Sequence, residues 1–310
     1  MQTNNRNLKQ YLLVLARGMG MGAADVVPGV SGGTIAFITG IYEELIHSIK
    51  SIDIEAVKLF FTGKWSSFWK HINGNFLLAV FAGIFIAVVS LARLLEHLLE
   101  TQPVLIWSFF FGLILVSSWV VARRIRDWNY GKVVALVAGI GAAFYITSVT
   151  PAQTTDAAWF ILLAGALASC AMILPGISGS FILLLLGKYA FALNAVNEVE
   201  IGSILLLGLG AVIGLLSLSR LLSWLFRKYH DGTVAVLAGF MIGSLNKIWP
   251  WKETVETVVI DGVTKPLVEK NVLPAAGNSA DQLVPAILMM ITGIALIVVL
   301  ELLFKKKEAV

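Results

Sequence analysis

Two short segments of this 310-residue chain combine proline, glycine and hydroxyl residues in the same order. The first reads ADVVPGVSGGTIAFITGIY over residues 24–42, and the second reads AMILPGISGSFILLLLGKY over residues 171–189. Proline breaks a helix, and glycine adopts backbone angles that other residues avoid. The free N–H groups that start the next half-helix, together with its dipole, form a site for an anion. Each segment therefore predicts a broken helix that can bind an anion.

The residues after each break are the candidates for that site. We expect Ser31 and Ser178 to cap the new half-helices and to leave N–H groups free, while Thr34 and Ser180 add hydroxyl donors. The predicted helix breaks are Pro28, Gly29, Pro175 and Gly176, and the predicted anion-binding residues are Ser31, Gly32, Gly33, Thr34, Ser178, Gly179 and Ser180. As an alternative, the same residues would suit two kinked helices in close packing.

Two arginines occupy equivalent positions in a second repeated stretch, GIFIAVVSLARLL from Gly83 and GAVIGLLSLSRLL from Gly210. An arginine within a membrane-spanning segment is costly and usually functional. Its guanidinium group can grip a phosphate with two hydrogen bonds. We therefore predict that Arg93 and Arg220 bind a phosphate, one nearer each membrane face. The alternative is that both side chains extend to the lipid headgroups from the ends of their spans.

Charges found in only one copy of the motif are candidates for further roles. Asp25, Glu43 and Glu44 flank the first break, and the matching positions of the second copy are uncharged. They are candidates for binding a coupling proton or sodium ion. Lys188 belongs to the second copy alone and can assist anion binding at an outer mouth. For all four residues, an ordinary interfacial charge is the alternative.

Composition indicates the class of fold in which these residues lie. The chain is 58% hydrophobic and 14% charged, whereas soluble domains are about a quarter charged. An all-α polytopic membrane protein is therefore predicted, with a single transmembrane domain over 1–310. The net charge of +4 does not indicate nucleic acid, because Lys and Arg lie between apolar segments. We expect spanning helices at about 76–99, 104–122, 132–149, 201–224, 232–249 and 284–304.

Loop charges predict the orientation of these helices. Lys and Arg are concentrated in 50–75, 123–132 and 225–231, so these connections and both termini are expected on the cytoplasmic side. Loops 97–103 and 150–157 contain no Lys or Arg and are expected outside. Each motif segment must then cross the membrane an even number of times. Re-entrant helical hairpins satisfy this condition, and so do pairs of short complete spans.

The repeated motifs divide the chain into two units, 10–149 and 158–304, each a hairpin followed by three spans. Three crossings is an odd number, so the second unit is predicted to be inverted relative to the first. Inverted repeats are typical of transporters, whose binding sites lie near the membrane midplane. Segment 250–283 is predicted to be an insertion on the outer face, either a loop or a small hairpin that covers the site.

The motifs also carry a family resemblance. ADVVPGVSGGTIAFITGIYEELI, LPGISGSFILLLLGKY and GSLNKIWPW at 243–251 resemble the bacterial and archaeal polyprenyl-phosphate transporter family over nearly the whole chain. The resemblance implies a multi-pass protein of the cytoplasmic membrane that returns undecaprenyl phosphate to the inner leaflet for reuse in envelope synthesis. It also implies that residues 28–34 and 175–180 line the path of the head group.

Two other functions stay open at this point. One is a transporter for a small soluble anion, which would need a cavity closed to lipid. The other is an integral membrane lipid phosphatase, which the lack of a clustered His, Asp and Arg set disfavours. We find no nucleotide loop, catalytic-triad spacing or metal-ligand spacing, so we predict no catalytic residue, cofactor or metal. The expected partners are the polyprenyl phosphate, membrane lipids and a coupling proton or sodium ion, and the sequence indicates no oligomeric state.

Overall fold

The computed structural model describes residues 6–27, 29–152, 154–260, 263–274 and 282–308, and they are predominantly helical. The predicted all-α polytopic class is confirmed, with one antiparallel strand pair as an insertion. The elements are α1 (Leu8–Val26), α2 (Gly32–Ile38), α3 (Tyr42–Lys50), α4 (Ile54–Phe61), α5 (Trp65–His71), α6 (Gly74–Thr101), α7 (Pro103–Ala122), α8 (Tyr130–Ser148), α9 (Ala158–Ile173), α10 (Gly179–Leu185), α11 (Tyr189–Asn197), α12 (Ile201–Ser244), β1 (Lys252–Ile260), β2 (Val263–Asn271) and α13 (Leu283–Glu308).

Five of the described helices are long and apolar enough to cross a membrane: α6, α7, α8, α12 and α13. Helix α12 has 44 residues, and its backbone is non-helical at Tyr229. At 1.5 Å per residue it is about 66 Å long, roughly twice a hydrocarbon core of about 30 Å. It is therefore divided at Tyr229 into two helical segments, 201–228 and 230–244, and the second is shorter than the roughly 20 residues of a typical span. The second of these ends at Ser244, five residues before the predicted end.

The Pro-Gly motifs interrupt the helices at equivalent places. Gly29 (φ 84°) lies between α1 and α2, and Gly176 (φ 90°) lies between α9 and α10. A second glycine with positive φ follows in each copy, Gly40 before α3 and Gly187 before α11. Helices α10 and α11 are bent by 109° relative to each other. The repeated sequence thus produces the same succession of one longer helix and two short ones in each half.

Glycines allow close helix packing both within each half and between the two halves. Helix α1 packs on α6, where Gly83 lies against the carbonyl of Leu15. In the same way α9 packs on 201–228, where Gly210 lies against the carbonyl of Leu162. Small residues allow helix backbones in a membrane to approach this closely. The pairs α8 with 230–244 and α7 with α13 also rest on glycines. The opposite orientation of the two halves stays a prediction.

The insertion after Trp249 forms a two-stranded hairpin, which is one of the two forms expected for 250–283. Lys252 pairs with Asn271 at its open end, and the register shifts near Glu256. The side-chain amide of Asn271 donates to the backbone carbonyl of Asn246 at 2.8 Å. This hydrogen bond satisfies a backbone carbonyl just beyond Ser244 and attaches the hairpin to the end of α12.

Candidate functional site

The two broken helices meet at their breaks. The hydroxyl of Ser31 lies 3.2 Å from the carbonyl oxygen of Met172 and 3.1 Å from that of Leu174. The backbone N–H of Gly176 donates to the Thr34 hydroxyl oxygen at 2.9 Å. Residues more than 140 positions apart in the chain therefore form one polar cluster between the halves. Pro28 lies outside the described residues.

The expected free N–H groups do not occur at the start of α2. Ser31 is the N-cap, and its Oγ accepts the N–H of Gly33 at 3.1 Å. The N–H of Gly32 donates to Asp25 Oδ1 at 2.7 Å, and the N–H of Thr34 donates to the Ser31 carbonyl. The expectation is wrong here because a carboxylate of the chain itself occupies the place predicted for a bound anion.

The second half-helix begins differently. Ser178 is the N-cap of α10, but its side chain makes no capping hydrogen bond to the backbone. Its hydroxyl lies 2.8 Å from the hydroxyl of Ser180 instead. Gly179 packs against the carbonyl of Ala168 on α9, where an added Cβ would lie 2.7 Å from the oxygen. The two hydroxyls are thus paired with each other next to the cluster formed by the breaks.

Asp25 faces a cavity of about 270 Å³, called here the central cavity. It is the one charged residue among the described residues that line this cavity. None of the described cations forms an ion pair with its carboxylate, whose one described hydrogen bond is with Gly32. Met172 and Ile173, at the end of α9, form another wall. A lone carboxylate in apolar surroundings is costly, so its presence points to a role beyond packing.

The other two candidate acids are held elsewhere. Glu44 accepts two hydrogen bonds from Arg6, at 2.6 and 2.5 Å, and a third from Asn73. Glu43 lies 3.2 Å from His230 Nε2 and is about half exposed. Asp25 is therefore the one acid of the predicted set that contacts a break.

The structure does not bring the predicted cations to the breaks. Arg93 and Arg220 are exposed on α6 and α12, and neither lines the three cavities described here. Lys188 is buried, and its ammonium group binds Asp156 Oδ1 at 2.5 Å and the Thr154 carbonyl at 3.1 Å. Instead of facing an open mouth, Lys188 fixes the loop that precedes α9.

Arg124 contributes a contact that sequence reasoning missed. Its guanidinium group donates to the carbonyls of Phe37 at 3.2 Å and Ile38 at 3.1 Å, at the C-terminal end of α2. A cation there complements the negative end of the helix dipole. The residue belongs to the basic 123–132 loop, where the sequence shows only an orientation signal.

Two further cavities lie near the predicted membrane faces. The inner groove, of about 820 Å³, runs between α8 and both parts of α12 and ends at Leu174. Leucine is the most frequent residue in its walls, and Lys132, His230 and Asp231 lie at one end. The outer polar cavity, of about 340 Å³, lies beneath the strand hairpin and is lined by Phe181 of α10. Segment 172–181 therefore contacts the inner groove, the central cavity and the outer polar cavity.

Replacing Ser31 by alanine is expected to destabilise the contact between the breaks. The change leaves the Gly33 N–H and two carbonyl groups without their hydroxyl partner, which costs about 1–3 kcal/mol. Thermal unfolding of the purified protein should show a lower Tm. The matched control is Ser90→Ala, because the exposed Ser90 hydroxyl bonds only within α6, to Ile86. Equal Tm values for the two variants would contradict the role given to Ser31.

Comparison with known proteins identifies the family. The family model described as "VCA0040-like: Undecaprenyl phosphate translocase-like" matches residues 21–264. A polyprenyl-phosphate transporter of Vibrio cholerae serotype O1 is 47% identical over 296 residues, which cover 94% of this chain and 96% of the relative. A polyprenyl-phosphate transporter of Staphylococcus aureus is 32% identical over 257 residues, covering 76% and 85% of the two chains. No solved structure matches the chain. With both Pro-Gly motifs inside the matched region, the chain belongs to the VCA0040-like family of undecaprenyl phosphate translocase-like proteins.

Proposed function

We propose that this protein moves undecaprenyl phosphate across the cytoplasmic membrane and returns it to the inner leaflet for reuse. The names of the relatives support transport of a polyprenyl phosphate. The observation that carries the proposal is that segment 172–181 lies between three cavities, one near each predicted face and one between the halves. A small movement of this broken helix would change which of the cavities communicate.

The inner groove supports a lipid substrate rather than a small soluble anion. Its leucine walls suit an isoprenoid tail, and the charged residues at its end lie at the predicted cytoplasmic surface, where a head group belongs. Leu221 and Tyr229 line the groove and are exposed, so it is open to the surroundings of the helices. The phosphate needs a polar route through the protein, whereas the tail can stay in the bilayer.

Asp25 is the residue we propose for ion coupling. Its carboxylate holds the Gly32 N–H, so a proton or sodium ion on Asp25 would weaken that bond and change how the first break is held. Arg93 and Arg220 face outward, so we propose that they guide the phosphate along the protein surface. Residues 29–34 and 175–180 are proposed to line the central part of the path.

Reconstituted vesicles test the proposed function. Undecaprenyl phosphate is placed in both leaflets, and an added membrane-impermeant phosphatase releases phosphate from the outer leaflet only. With the protein present, we expect almost all of the lipid phosphate to become accessible, whereas in protein-free vesicles the inner-leaflet share stays protected. The same assay is run with an imposed proton gradient and with an imposed sodium gradient.

Other outcomes separate the alternatives. Release of phosphate without added phosphatase would indicate a lipid phosphatase. Uptake of inorganic phosphate by the vesicles, with no change in lipid accessibility, would indicate a transporter for a soluble anion. Either result would overturn the proposed function.

A further inference from the structure

The outer polar cavity contains three lysines and one glutamate, which neither the motifs nor the names of the relatives assign to a function. The charged lining residues are Lys247, Lys252, Glu269 and Lys270, a net charge of two positive units when all are ionised. Amide and hydroxyl side chains of Asn246, Thr147 and Ser148 are close by. The cavity is thus a polar, cationic pocket on the face that loop charges predict to be outside.

A single carboxylate oxygen occupies the centre of this group. Lys247 Nζ and Lys252 Nζ each lie 3.3 Å from the same Glu269 Oε2. Two ammonium groups that converge on one oxygen form the arrangement that a phosphate oxygen would also satisfy. A phosphate monoester carries up to two negative charges and three terminal oxygens, so it can replace the glutamate and engage both lysines.

The lysines are held by aromatic rings as well as by Glu269. Lys252 is 7% exposed, and its Nζ lies 3.9 Å from the centre of the Trp107 ring. Lys247 is 18% exposed, and its Nζ lies 5.0 Å from the centre of the Phe181 ring. Ammonium groups are strongly hydrated, so placing two of them in a partly buried pocket with one shared carboxylate is costly. Such an excess of positive charge favours the binding of an anion.

Lys247 also connects this pocket to both broken helices. A methyl group added at Gly29 would lie 3.0 Å from Lys247 Cγ, so the side chain runs along the first break. Its ammonium group lies over Phe181, in the first turn of α10 after the second break. A ligand bound to Lys247 would therefore lie next to both elements of the proposed path.

We propose that the outer polar cavity is the entry site for a phosphate monoester head group, bound by Lys247 and Lys252 after displacement of Glu269. The inference rests on the proposed function for its direction, from the outer leaflet inward. Its chemistry, the exchange of a carboxylate for a phosphate between two lysines, applies equally to a lipid head group and to free phosphate. Glu269 thus competes with the phosphate for the two lysines and pairs with them when no phosphate is bound.

The pocket makes binding depend on pH. The pKa of Lys252 is lowered to about 8, chiefly by burial and also by the nearby Lys247, and Glu269 offsets part of this decrease. The ammonium form binds phosphate, so affinity should fall as pH rises from 7 to 9, a range in which the phosphate itself stays a dianion. A Lys252→Arg variant should bind with little change over this range, because arginine keeps its charge.

Calorimetric titration of the full-length protein in detergent tests the site, with geranyl phosphate as the probe. Lys247→Gln and Lys252→Gln should each weaken binding by about tenfold or more, since each removes a charge-assisted hydrogen bond. Glu269→Gln should strengthen binding several-fold, because it removes the competing charge. Lys70→Gln is the matched control, since Lys70 is an exposed lysine on α5 and should leave binding unchanged.

Opposite effects of the lysine and glutamate variants distinguish a binding site from a structural ion-pair cluster. If Glu269→Gln weakens binding as much as the lysine variants do, or if none of them alters binding, the proposal is overturned. Lys247→Arg and Lys252→Arg keep the charge and should retain binding. Retained binding would show that substitution at these positions does not itself cause misfolding. Inorganic phosphate is titrated in parallel. Equal affinity for both probes would support the phosphate site and assign it to free phosphate.

The leaflet assay separates this inference from the proposed function. Wild-type protein that moves no lipid, together with the expected binding series, would remove the proposed function and leave the site standing. Wild-type protein that moves lipid, with both lysine-to-glutamine variants equally fast, would overturn the entry site alone.

Discussion

Replacing Gly176 by alanine is expected to abolish lipid transport and to lower the Tm markedly. The residue has φ of 90°, a conformation that costs a side-chain-bearing residue about 1–3 kcal/mol. An added Cβ would also lie 2.7 Å from Ser244 Oγ and 2.9 Å from the Phe240 carbonyl oxygen. The Phe240 carbonyl belongs to the backbone of α12, which cannot move without a large cost in free energy. The second break would therefore have to leave its place against α12.

The displacement would also break the contact between the halves. The Gly176 N–H is bonded to Thr34, so a shift of the second break pulls on the first. Thermal unfolding and the leaflet assay measure the two effects. Gly141→Ala is the matched control, because nothing lies within 4 Å of an added Cβ there, in the middle of α8. That change should stabilise the helix by about 0.5–1 kcal/mol. A stable and active Gly176→Ala protein would show that the break tolerates a different geometry.

Replacing Asp25 by asparagine is expected to slow transport at least tenfold and to remove its response to an imposed ion gradient, with little change in Tm. The amide oxygen of asparagine can still accept the Gly32 N–H that Asp25 Oδ1 holds at 2.7 Å. The variant therefore keeps the local hydrogen bond but loses the charge and the ability to take up a proton or a sodium ion. Asp25→Ala should lose transport and stability together.

Comparing Asp25→Asn with Asp25→Ala distinguishes a role of Asp25 in ion coupling from a role in capping α2. Gradient-driven transport by Asp25→Asn at the wild-type rate would reduce Asp25 to a structural cap of α2. Asp127→Asn is the control, because Asp127 is an exposed acid in the basic loop after α7. This substitution changes the net charge by the same amount as Asp25→Asn, and Asp127 lies far along the chain from either break. Rates are compared in vesicles with equal amounts of inserted protein.

Much of this architecture was predictable from the sequence because its signals are local. The length of an apolar run determines whether a helix spans a bilayer, and the helices α6, α7, α8 and α13 lie where those runs predict them. Gly29 and Gly176 have positive φ at the predicted breaks, because glycine lacks the Cβ that makes this conformation costly. For segment 250–283 the sequence does not choose between a loop and a hairpin, since mixed-charge segments carry a weaker local signal.

The contacts that make a site depend on how distant segments of the chain pack against each other, so a local sequence pattern does not show them. Ser31 lies against Met172 and Leu174, and Asp25 occupies the place expected for a bound anion. The sequence shows where a charged residue occurs in the chain, but it does not show which group the side chain will contact. The sequence therefore predicts Arg93 and Arg220 as site residues, whereas the structure places both on the surface.

The polytopic helical fold and its two matching Pro-Gly breaks follow from the sequence alone, because hydropathy and backbone preference act within a few residues. The contact between the breaks, and the cavity that Lys247, Lys252 and Glu269 share, follow from tertiary packing instead. Hydrogen bonds and ion pairs act over a few ångströms in space. Their partners are chosen by the docking of helices and strands that lie far apart in the chain.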